Sequence, residues 1–255
     1  MAEIIKIAQA FLIALGFGVG VFNNFAPAKL TGAGFQKLVN SVCLGATFIA
    51  AIIHASYGDA TNLEAIAYYV GAISFLLIRQ LHADDKSPFM WMLYALHNIA
   101  GLVAVHQFSA GNLTHFAFIL SSALYLGVIT YAMVLGHYYL VVPKLTVDPL
   151  KMSLKWMWAI FAVKLVWSSY GTYLSTDYLA EGTMLGGGYA FNWLMILMRY
   201  IWGYVIIFTM SVFTWKLVCL RSTQSATGVL YAMTIFVFIG ELISGYLFFK
   251  FGMLV

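Results

Sequence analysis

The chain has 255 residues, of which 63% are hydrophobic and only 9% charged, and its mean hydropathy is +0.90. So few charges cannot cover a water-soluble fold of this size, which places the chain in the membrane class. The net charge of +4 is no argument for nucleic acid, because its cations have a topological explanation given below.

Apolar runs of about 20 residues, the length an α-helix needs to cross about 30 Å of hydrocarbon, recur along the chain. They cover residues 4–22, 38–55, 64–81, 89–107, 115–137, 154–173, 189–216 and 226–250. The pattern predicts an all-α integral membrane protein, a bundle of about eight transmembrane helices, with 1–255 forming a single transmembrane domain. Pro27, Pro88, Pro143 and Pro149 all fall between runs, where proline does least harm to a helix. Ala26-Pro27-Ala28 resembles a signal-peptidase site, but the leader before it carries no net positive side-chain charge. The first run is therefore expected to stay as a true helix. Cys43 and Cys219 lack C-x-x-C spacing and read as small membrane residues, not as a disulfide or metal pair.

The cations in the connections fix an orientation. Lys29 and Lys37 follow the first run, and Arg79 and Lys86 follow the third. Lys144, Lys151 and Lys155 follow the fifth, and Lys216 and Arg221 the seventh. The alternate connections contain no Lys or Arg and carry Asp59, Asp177 and Glu181 instead. The positive-inside rule puts the odd-numbered connections in the cytoplasm and both termini outside. A bacterial inner membrane is the expected setting, with membrane lipids as the surrounding partner.

Four ionisable side chains fall near the middle of apolar runs: His97, Lys164, Arg199 and Glu241. At the rise of an α-helix, all four come out roughly 13–15 Å below the outer ends of their runs. Charge at that depth is costly, so such residues face a partner, a ligand or an aqueous path. Small residues follow each one four positions later: Gly101, Ser168, Gly203 and Gly245. Positions i and i+4 share a helix face, so these leave room for a neighbouring helix or a ligand. A buried Arg199–Glu241 pair that only orients two helices is the competing reading. It leaves Lys164 without an acid of its own, which favours a polar ligand such as a quinone carbonyl, a haem propionate or an anion. Trp167 and Trp202, each three residues from a midplane charge, offer flat walls to a ring ligand or ordinary packing surface.

His54, His106 and His115 lie near the outer boundary. Haem b held between helices needs two imidazoles at one level, so His54 with His106 or His115 is a candidate ligand pair. Hydrogen bonding to headgroups or loop carbonyls accounts for the same residues. No metalloprotease helix, nucleotide-binding loop or nucleophile elbow is present in the sequence.

The last run reads Gly240-Glu241-Leu242-Ile243-Ser244-Gly245-Tyr246-Leu247-Phe248-Phe249. It resembles the closing G-E-L-x-G-R-x-x-F-[FY] segment of membrane anchors in the dimethylsulfoxide-reductase and polysulfide-reductase families. The likeness covers this segment and the topology, and it departs where Ser244-Gly245-Tyr246 replaces and shifts the usual Gly-Arg pair. It implies an eight-helix anchor with both termini outside that exchanges electrons with quinol without needing haem, and it assigns Glu241 and its adjoining glycine to a quinone–proton site.

The leading expectation is a membrane subunit of a respiratory or redox complex, forming part of a quinone-linked oxidoreductase. It would bind menaquinone or ubiquinone near the midplane and pass electrons to or from other subunits. Lys164 or His97 would hydrogen-bond a quinone carbonyl, Glu241 would exchange the proton, and Arg199 would hold Glu241 ionised. The alternatives are a proton- or ion-coupled transporter built on the same charges, and a structural subunit in which they only lock helices together. The sequence shows neither the midhelix proline nor the matched Gly-interrupted halves that favour a transporter.

Overall fold

A computed structural model gives the structure of residues 2–81, 87–142 and 145–255. Lys86 and Lys144, two of the cations in the charge bias, and Pro143 lie outside the described residues. Eight long helices account for most of the rest. They are α1 (Ala2–Val21), α2 (Ala33–Tyr57), α3 (Leu63–Leu81) and α4 (Pro88–Phe108), followed by α5 (Leu113–Val141), α6 (Asp148–Leu174), α7 (Tyr189–Cys219) and α8 (Thr223–Phe251). There is no strand among the described residues. A 3₁₀ turn at Phe22–Phe25 and a one-turn helix at Ala28–Thr31 link α1 to α2. Each expected apolar run lies within or along one long helix.

Seven of these helices are long and apolar enough to cross a membrane. The exception is α6, which has the length, 27 residues, but carries Lys151, Lys155 and Lys164. Mid-helix apolar side chains such as Ile52, Ile73, Ile99, Val166, Leu197 and Ile235 project from the bundle. A surface of this kind suits hydrocarbon and marks an integral membrane protein.

Two of the prolines begin helices instead of separating them. Pro88 opens α4, and Pro149 sits in the first turn of α6. First-turn N–H groups have no intrahelical acceptor, so a residue lacking one costs nothing there. Asn112 caps α5, its side-chain oxygen accepting from the Thr114 and His115 amides.

The helices pack as two four-membered rings. Contacts run from α1 to α2, α2 to α3, α3 to α4 and α4 back to α1. A second circuit runs from α5 to α6, α6 to α7, α7 to α8 and α8 back to α5. The rings meet chiefly where α1 lies against α5 and, less extensively, α8, with smaller contacts of α2 and α4 on α5. Glycine makes the first of these contacts close. A β-carbon on Gly18 of α1 would overlap the Ala123 carbonyl of α5, and one on Gly127 would overlap the Gly18 backbone. Val19, Phe35, Val39, Leu126, Ile129 and Leu135 fill the core around this crossing. After α8, Gly252 turns the chain back in a left-handed conformation (φ 70°) that glycine adopts without strain. Met253 and Val255 are thereby buried, and the Ser244 hydroxyl of α8 donates to the Val255 carbonyl.

Candidate functional site

The second ring gathers the buried charges. Lys164 of α6 and Arg199 of α7 are fully buried, and Glu241 of α8 is nearly so. The Arg199 Nη1 donates to Glu241 Oε1 at 3.0 Å, as the estimated depths require. The Lys164 ammonium lies 3.5 Å from the other carboxylate oxygen, Oε2. The expectation that Lys164 has no acid of its own is therefore corrected. Depth along a helix gives the level of each charge, but not that the two oxygens of one carboxylate face different cations.

Hydroxyl and aromatic groups complete the shell. Lys164 Nζ donates to Ser122 Oγ of α5 at 2.5 Å and lies 4.2 Å from the centre of the Phe118 ring. Arg199 Nη2 donates to the Tyr204 hydroxyl at 2.6 Å, and that hydroxyl is 2.5 Å from Ser168 Oγ. The guanidinium is thus held on two sides, whereas the ammonium faces Ser122.

A local break in α7 makes this geometry. Residues Ile201–Val205 form a π-helical segment directly after Arg199. Its i→i+5 bonding widens the turn and brings Tyr204, five residues on, back to the Arg199 side. The Tyr125 hydroxyl of α5 donates to the Gly203 carbonyl within this segment at 3.0 Å. A β-carbon on Gly203 would come within 2.8 Å of Arg199 Nη1, and one on Gly240 would come within 2.7 Å of the Gly203 α-carbon. The two glycines thus allow α7 and α8 to close around the guanidinium. Gly203 is the one trace of this device in the sequence, since no proline marks the break.

Two cations share one carboxylate, so the cluster carries a formal excess of one positive charge. Among the described residues, no second carboxylate comes within ion-pair distance of either cation. Such a cluster suits an electron-rich oxygen, carbonyl or anion. A groove between α1, α5 and α8 reaches it, with a cavity volume of about 50 Å³. Ser122 and Glu241 supply the groove's polar floor. Neither Ser122 nor Tyr204 stands out in the sequence, because hydroxyl residues are cheap in membrane helices and carry no signal of cost.

No protein family, characterised protein or solved structure matches this chain. What it does must be read from its own side chains.

The remaining candidates sit elsewhere. His97 is buried in the first ring, its imidazole 4.7 Å from the Phe75 ring centre and beside Gly20 of α1. Both its ring nitrogens lack a hydrogen-bond partner among the described residues, and none of its described contacts is with Lys164, Arg199 or Glu241. It belongs to the other ring, and it lies beside Gly20 of α1 whereas Ser122 and Glu241 lie beside residues 7–14 of that helix. Trp167 packs edge-on against Phe118, 6.2 Å between ring centres, and so stands one layer behind Lys164. Trp202 packs on Phe236 at 6.4 Å and does not line the groove.

The outer histidines have separate neighbours. His54 Nε2 meets the Asp59 carbonyl and Asn62 Oδ1, each at 3.2 Å, and its Nδ1 lies 3.8 Å from Glu64. Nε2 of His54 is therefore engaged, and the residue lines a separate cavity with Gln9, Tyr57 and Glu64. His106 packs on Phe116 and His115 on Phe248. Among the described residues, no group of three or more His, Cys, Asp or Glu is placed to hold a metal ion.

Proposed function

We propose that this chain is a quinone-interacting membrane subunit of a redox complex, with its site at Lys164, Ser122 and Glu241. The observation that carries this reading is the buried cluster itself, two cations on one carboxylate beneath a groove between helices. Excess positive charge favours a carbonyl oxygen as hydrogen-bond acceptor, and Glu241 is the group placed to exchange a proton with the reduced ring. Arg199, clamped by Tyr204, whose hydroxyl is in turn held by Ser168, keeps the carboxylate in place. Electrons pass to or from a metal centre on a partner subunit. Solvent extraction of the purified protein, followed by chromatography, is expected to yield menaquinone or ubiquinone at near one per chain. Protein that contains no quinone and binds none when it is added would overturn the proposal.

The same reading includes eight spanning helices with both termini outside. Here α6 is the eighth span, its Lys164 paired with the shared Glu241 inside the bundle and its Lys151 and Lys155 held at the cytoplasmic end. Cysteines introduced at Gly58 and Leu145 are expected to react with a membrane-impermeant reagent from opposite sides. Labelling of both from one side would refute the orientation.

One observation favours a second function. Transporters often interrupt a helix at the substrate site, and the π segment after Arg199 is such an interruption. Counterflow of a solute or ion in liposomes would identify a coupled transporter, and its absence alongside bound quinone would set that function aside.

A further inference from the structure

The groove is built asymmetrically. Its floor is polar, with Ser122 of α5 and Glu241 of α8, whereas its walls are apolar and in part small, with Ala10 and Ala14 of α1 and Gly245 of α8. Two of its walls are α1 and α8, whose mutual contact is less extensive than that of α1 with α5. Two side-chain contacts frame it. Phe11 meets Phe238 edge-on at one end, 5.2 Å between ring centres, and the Lys6 ammonium lies 5.3 Å from the centre of the Phe249 ring at the other. Between these posts Gly245 faces Ile7, and a β-carbon there would sit 3.5 Å from the Ile7 Cγ2. A methyl group there makes ordinary van der Waals contact.

Lys164 itself is fully buried and does not line the groove. Ser122 stands between them. Its oxygen accepts from the ammonium at 2.5 Å, and its own hydroxyl hydrogen donates to the Glu241 carboxylate, from which rotation would turn it to the groove. A hydroxyl already accepting from a cation is polarised and donates more strongly. The charge of Lys164 is thus delivered to the groove through Ser122.

We infer that the site takes a lipid-soluble ring carbonyl carrying an apolar tail, which enters sideways from the bilayer between α1 and α8. The head seats on Ser122 and Glu241, and the tail passes out beside Gly245. This rests on the quinone reading and adds to it the route, the contact residue and the need for a tail. An oxidised head accepts the Ser122 hydroxyl at its carbonyl oxygen, and a reduced head donates its own hydroxyl to Glu241.

The test uses the full chain in lipid nanodiscs, with tryptophan-fluorescence quenching by two probes, decylubiquinone and tail-less duroquinone. Wild type is expected to bind decylubiquinone more tightly than duroquinone. Gly245→Leu fills the mouth without altering a charge, and is expected to weaken decylubiquinone by about ten-fold or more while leaving duroquinone within about two-fold. Ile7→Phe narrows the same mouth from α1 and should act alike, so that a folding defect in one variant does not decide the matter. Ser122→Ala is expected to weaken both probes by about ten-fold, as for one lost hydrogen bond. Wild-type affinity for decylubiquinone in both mouth variants, or equal affinity of wild type for the two probes, would overturn the lateral seat while leaving the quinone reading intact. A wild-type protein that binds neither probe defeats both.

Discussion

Replacing Glu241 with glutamine is expected to be the most damaging single change in the bundle. The carboxylate is the shared counter-charge of Lys164 and Arg199, at 3.5 and 3.0 Å. Its loss leaves two buried cations facing each other with no compensation. Breaking even a simple buried pair costs about 3–5 kcal/mol, and this variant should lie at the top of that range or beyond it. Arg199→Met and Lys164→Met should each cost less, because either one leaves a single cation on the carboxylate. The double change Arg199→Met with Glu241→Met would be benign for an isolated pair, but here it strands Lys164 and is expected to stay costly. Only when Lys164 also becomes apolar should stability recover. Unfolding of the series in mixed detergent micelles measures the order. Equal losses for Glu241→Gln, Arg199→Met and Lys164→Met would show that the three charges are not one unit.

The second large effect concerns activity. Lys164→Met keeps the Arg199–Glu241 contact and so should leave the bundle assembled. It removes the excess positive charge and the donor that polarises Ser122. If quinone is bound as proposed, quinol-linked electron transfer in the assembled complex should fall by about a hundred-fold or more, the scale seen when one preorganised donor to developing charge is lost. Stability measured on the same preparation separates this from misfolding. A variant that assembles and turns over quinol at the wild-type rate would remove Lys164 from the site and favour a purely structural cluster.

The level of Lys164, Arg199 and Glu241 is legible in the sequence because charge in hydrocarbon is expensive. Three such residues at one depth in a small bundle have every reason to meet. Depth is one coordinate only, and His97 shows its limit: its count along the sequence matches the others, but it sits in the other ring. Which way a residue faces around its helix axis depends on which helices are neighbours, and hydropathy does not encode that. Ser122 and Tyr204 were hidden for a different reason, since nothing in an apolar run singles out a serine or tyrosine until a charge is found against it. The π segment at Ile201–Val205 is hidden too, because its cause is a close helix approach at Gly203 and Gly240, not a local breaker residue. Two helix starts are misplaced as well, since the runs leave Pro88 and Pro149 outside α4 and α6, whereas Pro88 opens α4 and Pro149 lies in the first turn of α6.

The sharing of α1 between the two rings has a consequence for biogenesis. Translation delivers α1 first, and its neighbours α2 and α4 follow soon after, so the first ring is free to close while synthesis continues. The opposite wall of the groove is α8, which arrives only after every other long helix has been made. Through most of insertion, the face of α1 that bears Ala10 and Ala14 must therefore be covered by lipid or by the insertion machinery. Nor do the charges have an earlier refuge: Lys164 and Arg199 enter the membrane before Glu241 exists to neutralise them. The nascent chain passes through a stage with two uncompensated cations, and their shared counter-charge arrives with the helix that also completes the groove.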